Sequence, residues 1–187
     1  MIATHNTLTY NNATNPLVQM CGRWWRCQNL TIEEQIKAGA GYLDIRVRYT
    51  MTGKVLIAHG IATMKGLKFR TIEELCQWLD KYKAMYRILL ERGGEFDRGY
   101  FIADIKEAAA KHPLLMWAVV KEGWEEVYVA QNHPKIVDLC LHWNFKLLFR
   151  SLYKNVIKEY AEMQIITDEM IKDKGTVYFM DYIQKQQ

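Results

Sequence analysis

Apolar and polar positions alternate along this chain in two different periods, and the switching between them predicts its elements. A short apolar start, Met1 to Thr4, reads as a strand and is followed by polar loop from Asn6 to Asn15. Thr31, three residues ahead of Glu34, forms a capping box that opens a helix ending near Gly39 to Gly41. From Tyr42 to Tyr49 the period is two: Leu43, Ile45 and Val47 alternate with Asp44, Arg46 and Arg48, which predicts a strand with a polar face. Thr52-Gly53 turns the chain into a second strand, Lys54 to Ile57, ending at His59-Gly60.

The cycle then repeats. Thr71 and Glu74 make another capping box, and the helix that follows carries Leu75, Trp78, Leu79 and Tyr82 on one stripe. Tyr86 to Leu90 is an apolar run ending in Glu91, Arg92 and two glycines. A helix near Asp97 to Lys111 stops before Pro113, because the residue ahead of proline is pushed out of the helical region. Leu114 to Val120 reads as a strand, as do Trp124 to Ala130 and Ile136 to Leu141. Phe145 to Met163 has helical periodicity, and Thr176 to Ile183 closes the chain as a strand. Strand and helix alternating in this way predict an α/β fold. With no repeat, low-complexity stretch or linker, residues 1–187 read as one domain.

Composition narrows the choices. Half of the 187 residues are apolar and 25% are charged, enough for a core and too few for a disordered tail. No window approaches the roughly 18 to 20 apolar residues of a membrane span. The net charge of +4 (25 − 21) is spread along the chain, which favours anionic partners without a basic arm for nucleic acid. The four cysteines show no metal-type spacing; Cys76 and Cys140 read as core residues, while Cys21 and Cys27 flank a short loop and could pair in an oxidising compartment. No leader is recognisable at Met1, and secretion or action at a membrane surface stays open if an upstream segment has been removed.

Polar residues placed just past apolar strands carry the chemistry. His5 follows the first strand, Arg46 lies in the second, His59 follows the third, Arg92 follows the fourth, and Asp181 lies in the last. In a (β/α)8 barrel the strand C-termini gather on one face, so these five are expected to converge there. Two imidazoles and two guanidinium groups around one mouth suit phosphodiester cleavage, with one ring taking a proton, the other giving one, and cations on the phosphoryl oxygens.

The strings around Thr4-His5-Asn6-Thr7, Gln28, Ile32 and Gln35, Gly41 to Arg46 and His59-Gly60 resemble the catalytic X-domain of phosphatidylinositol-specific phospholipase C. The thirteen positions from Arg46 to His59 are similar to the bacterial enzymes. The resemblance covers residues 3–92 and returns at Val177 to Ile183; residues 95–175 add nothing to it. It implies a small (β/α)8 TIM-type barrel, incomplete if helices are shortened or strands lost, since 187 residues fall below the roughly 200 typical of the fold's lower end. It also implies roles. His5 would be the general base on the inositol 2-hydroxyl and His59 the general acid on the diacylglycerol oxygen. Asp181 would hold the His5 ring, and Arg46 would bind the phosphate oxygens. Asp44 would orient either the acid histidine or Arg46, and Asn6, Arg92 and Lys121 would contact substrate. The product would be a cyclic phosphate.

Asn6 also fits the pattern of the calcium-dependent eukaryotic members, which add acidic residues on strands two and four. Arg46 stands where those enzymes carry a ligand carboxylate, and its charge would repel Ca²⁺, so metal-independent catalysis is expected. Arg23-Trp24-Trp25-Arg26 invites peripheral membrane contact through Trp24 and Trp25. Two other functions remain open: a phosphodiesterase for glycerophosphodiesters or other lipid headgroups on the same barrel, and a non-catalytic inositol-phosphate or membrane-binding module. Arg48 reads as a solvent-facing charge, His112, His133 and His142 as surface or loop residues, and Met163, Met170 and Met180 as core.

Overall fold

A computed structural model of the chain describes residues 1–20, 25–92, 94–138, 168–173 and 175–180. These contain β1 (Ile2–Thr4), α1 (Pro16–Met20), α2 (Ile32–Lys37), β2 (Ala40–Tyr49), β3 (Val55–His59), β4 (Ala62–Phe69) and α3 (Ile72–Asp80). They continue with β5 (Met85–Leu90), α4 (Glu95–Lys111), β6 (Leu115–Val120), β7 (Glu125–Val129), β8 (Lys135–Asp138), α5 (Asp168–Lys172) and β9 (Thr176–Met180). The strands make one mixed sheet in the order β7-β6-β5-β2-β1-β9-β8, with β3 and β4 as a hairpin beside β2. From β6 to β8 across that order every pairing is parallel. The sheet curls into a half-barrel, as expected of a partial TIM-type fold.

The two faces of β2 show why. Leu43, Ile45 and Val47 are fully buried and pack outward with Ile88, Leu75, Leu79, Phe101 and Ile105, the layer beneath α3 and α4. Each such side chain contributes about 1.5–3 kcal/mol by leaving water. Tyr42 packs inward with Ala3, Met116 and Phe179, low in the barrel. Asp44 and Arg46 share its parity, and the register sets Asp44 opposite Arg87 and Arg46 opposite Leu89. Period two therefore sends the charges of β2 into the barrel.

Several expectations need correction. The Thr31 capping box is complete, with Glu34 reaching back to the Thr31 N–H, but at α3 only Thr71 caps, because the Glu74 carboxylate accepts from Arg70 N instead. Within the expected loop, Thr7–Tyr10 winds into a 3-10 turn. Strand β4 was not anticipated. Lys65, Gly66 and Lys68 face solvent on an edge strand, so apolar alternation is diluted, and its pairing comes from the β3 hairpin. Trp124 is a turn residue with φ 54 ahead of β7. His112 is buried at the end of α4, where Nδ1 lies 2.6 Å from Asp80, and His133 is half-buried against Tyr42 and Trp117. Met180 is buried as expected. The expected Phe145–Met163 helix, Cys21, Cys140, His142 and residues 181–183 lie outside the described residues. No helix among the described residues is long and apolar enough to cross a membrane.

Candidate active site

His5 leaves β1 with its backbone still in the sheet, donating from N to Met180 O at 2.9 Å. Gln28 braces this point from outside the sheet: its Nε2 donates to His5 O at 3.1 Å and Met180 O at 3.0 Å. The next residue, Asn6, takes a left-handed conformation with φ 48. That turn aims its N–H at Asp44 Oδ2, 2.9 Å away. It also sets the amide nitrogen between the two histidines, 3.1 Å from His5 Nε2 and 3.3 Å from His59 Nε2. The imidazole centroids are 6.2 Å apart at an interplanar angle of 76°.

His59 ends β3. Its Nδ1 donates to the Trp25 carbonyl, which fixes the tautomer and leaves Nε2 facing His5 across the Asn6 amide. Gly60 follows with φ 57, a conformation glycine adopts without penalty, and the resulting turn carries its N–H to Glu91 Oε1 at 3.1 Å. The Cys27 thiol lies beside both groups, accepting from Asn6 Nδ2 at 3.4 Å and 3.9 Å from His59 Nδ1.

Arg46 sits at the centre. Its Nε donates to Asp44 Oδ2 at 3.3 Å, its Nη1 to Glu91 Oε2 at 3.2 Å, and its Nη2 lies against His5 Nε2. Arg87 on β5 donates to the other Asp44 oxygen at 2.8 Å, and Lys121 Nζ to Glu91 Oε1 at 2.6 Å. Arg46, Arg87 and Lys121 set three positive charges against two from Asp44 and Glu91. Among the described residues this leaves a surplus of one positive charge, which suits a singly charged phosphodiester.

This network sets the protonation states. Burial opposes ionisation of Asp44, but Arg87, Arg46 and the nearby His5 outweigh it and hold the carboxyl well below its usual range. Burial likewise pushes Glu91 up, and Arg46 and Lys121 bring it down to about 2. For His59, burial first and Arg46 repulsion second lower the pKa to about 4, against partial support from Glu91. At neutral pH the resting His59 ring is therefore uncharged.

A stability dependence follows. Unfolded, His59 takes a proton below about 6.5, whereas the native ring resists until about 4, so its contribution is complete above 6.5 and is lost on acidification between those values. Glu91, ordinarily near 4.5, adds a further loss between there and about 2. Thermal melts should show a midpoint that falls steadily from neutral pH to about pH 4. A midpoint that rises over that range contradicts the half-buried, neutral His59.

The structure brings together six residues anticipated from the sequence: His5, Asn6, Asp44, Arg46, His59 and Lys121. Asp44 contacts Arg46 and approaches the His5 ring, with Oδ2 3.9 Å from His5 Nε2. Arg92 is not in this cluster; it is exposed, and Glu91 before it fills the place. Asp181 and Trp24 lie outside the described residues. Trp25 is 3% exposed, packed in the core with Nε1 donating to Val18 O at 2.8 Å, so it has no face to offer a membrane. Glu91, Arg87 and Cys27 were missed. A cation inside the apolar run Tyr86–Leu90 was the available signal for Arg87, and an acid immediately after that run was the signal for Glu91.

The same geometry tests the site for a divalent cation. Among the described residues the two carboxylates nearest the histidines, Asp44 and Glu91, both accept from Arg46, whose guanidinium lies between them. Among the described residues no group of three or more His, Cys, Asp or Glu is arranged to hold a metal. This donor set does not fit a divalent ion.

No protein-family model matches the chain, and no curated protein sequence matches it significantly. Solved structures do share its fold. Phosphatidylinositol-specific phospholipase C from Listeria monocytogenes superposes with a TM-score of 0.55 at 14% identity, covering 100% of this chain and 89% of that one. A mutant of phosphatidylinositol-specific phospholipase C from Staphylococcus aureus gives 0.51 at 10% identity over 95% of this chain and 70% of that one. At these identities the likeness is one of fold.

Proposed function

We propose that this chain is a phosphodiesterase of the phospholipase C type that cleaves phosphatidylinositol, or a closely related lipid phosphodiester, without a metal ion. The observation carrying this reading is that His5 and His59 face each other across 6.2 Å with the Arg46 guanidinium beside them. Fold likeness to bacterial enzymes that bear this substrate in their names supports it.

The steps balance without further components. His5 takes the proton of the headgroup hydroxyl next to the phosphate, and that oxygen attacks phosphorus. The bond from phosphorus to the glyceride oxygen breaks, and His59 Nε2 gives that oxygen a proton. The headgroup leaves as a cyclic phosphate. Arg46 holds the non-bridging oxygens, where charge builds up.

Two features of the resting site make substrate part of the switch. Arg46 Nη2 and the Asn6 amide both stand against His5 Nε2, so a phosphate that draws the guanidinium to itself removes the charged one of the two donors from the lone pair the base needs. Arg46 also holds the His59 pKa down, so the same phosphate charge offsets that repulsion and promotes protonation of the acid.

Glu91 supports the protonated His59 electrostatically and anchors Gly60. Glu91→Gln should therefore lower kcat/KM by about tenfold at neutral pH, one pKa unit being a factor of ten in the protonated fraction. The deficit should shrink as the pH is lowered. A deficit independent of pH would assign Glu91 a structural role only.

The headgroup is tested by following release from mixed micelles of phosphatidylinositol, phosphatidylcholine or phosphatidylglycerol, with glycerophosphoinositol as the lipid-free arm. Release from phosphatidylinositol above the others is expected. Absence of release from every phosphodiester contradicts an enzymatic role and leaves the binding-module reading.

A further inference from the structure

Beyond the catalytic cluster, at the end of β2 and the start of α4, lies a cavity of about 660 Å³ lined by Arg48, Tyr49, Arg92, Gly94, Asp97 and Glu122. Arg48 lies two positions past Arg46 on the same face of β2, while Arg92 follows Glu91 and Glu122 follows Lys121. The cavity thus borders the cluster two residues further along β2 and one residue further past the ends of β5 and β6.

Its arginines are not spent on the fold. Arg48 is half-buried rather than solvent-facing, and its Nε and Nη2 are buried with no hydrogen-bond partner. Burial and the neighbouring positive charge of Arg92 both disfavour its ionised form, with Glu91 the one acid that relieves it. Glu91 is engaged elsewhere, its oxygens accepting from Arg46, Lys121 and Gly60 N, and it makes no hydrogen bond to Arg48. Among the described residues neither Arg48 nor Arg92 forms an ion pair, although Asp97 and Glu122 line the same cavity. Buried donors without acceptors are costly, and a water, an ion or a ligand group is what satisfies them. Two guanidinium groups side by side match the several oxygens of a dianion. The two carboxylates match hydroxyl hydrogens on the molecule carrying it.

We infer that this cavity is a second ligand subsite, in which Arg48 and Arg92 bind a phosphate monoester carried on a hydroxyl-bearing molecule. The subsite rests on the proposed function only for its neighbour, the phosphodiester centre. Its occupant is either the headgroup of the lipid being cleaved or a free phosphate ester.

The test reads the arginine side chains directly. The full chain, labelled with ¹⁵N, is titrated with inorganic phosphate and then with glycerol phosphate while the Nε–H resonances are followed. Saturable movement of the Arg48 and Arg92 resonances is expected. Arg48→Met and Arg92→Met should each weaken glycerol phosphate binding by about 10- to 100-fold, the range for losing a charge-assisted hydrogen bond. Because Arg92 is exposed, that variant tests the site without burdening the fold. Movement confined to Arg46, or equal affinity in both variants, overturns the inference.

Turnover separates the sources. If the headgroup is the occupant, lipid bearing a headgroup monoester has a KM about tenfold lower than plain lipid, and Arg48→Met abolishes the advantage. If a free ester is the occupant, glycerol phosphate alters turnover of plain lipid and the lipids do not differ. Arginine binding without lipid cleavage refutes the proposed function and leaves the subsite; cleavage with silent arginines does the reverse.

Discussion

Alanine at His5 or at His59 should lower turnover of phosphatidylinositol by about 10²- to 10⁴-fold, the range for removing a general base or acid. The double variant is expected to fall little further, because the two rings serve one proton transfer sequence and their losses do not add. The two roles separate when the leaving group is changed. A substrate whose leaving oxygen is a nitrophenolate departs without a proton, so it restores most of the rate to His59→Ala and almost none to His5→Ala. Neither loss reflects unfolding: His59 is a half-buried ring held by the Trp25 carbonyl, Asn6 and Cys27, and His5 is held through its backbone by Met180 and Gln28. Rates within a few-fold of the parent in either variant remove the acid–base assignment.

Arg46→Gln has the second large effect, and it appears in both rate and stability. Turnover falls by about 10²- to 10³-fold, as when one preorganised donor to a developing oxyanion is lost. Asp44 then keeps Arg87 and Glu91 keeps Lys121, but each loses the cation that joins them. Breaking a buried ion pair by deleting one partner costs about 3–5 kcal/mol. Arg46→Lys separates the two effects. An ammonium supplies the charge and recovers part of the stability, yet it cannot span both carboxylates and two phosphoryl oxygens as the planar fork does. Thermal melts and kcat measured on both variants decide. If Arg46→Lys turns over at the parent rate, bidentate phosphate contact is wrong.

The parity of strands explains what the sequence made legible. On β2 the alternation of Leu43, Ile45 and Val47 with Asp44 and Arg46 was visible, and the charged face became the barrel interior. On β5 the same rule puts Arg87 and Leu89 inward; Glu91, just past the strand, joins them, and Arg92 falls outside the cluster. The apolar run hid this parity, because a strand buried on both faces shows no alternation. Arg92 drew attention as a cation, while Glu91, one residue nearer the strand, closes the network. Arg87 was obscured for the same reason, since its partner Asp44 lies 43 positions earlier in sequence and only the register joins them. For Trp25 the reason is different. Cationic neighbours suggested an interface, but the acceptor that buries Trp25, the Val18 carbonyl, carries no mark in the side-chain pattern. His5 and His59 were recoverable because each follows directly on a short apolar strand, where a buried polar group needs a purpose.

Phosphorus NMR of phosphatidylinositol micelles mixed with the protein in excess chelator reads the central claim most directly. A cyclic inositol phosphate resonance should grow in at the same rate with and without chelator, and be absent with His5→Ala or His59→Ala. Turnover that stops in chelator and returns with added calcium, or a product that is never cyclic, contradicts two imidazoles acting on an arginine-held phosphate.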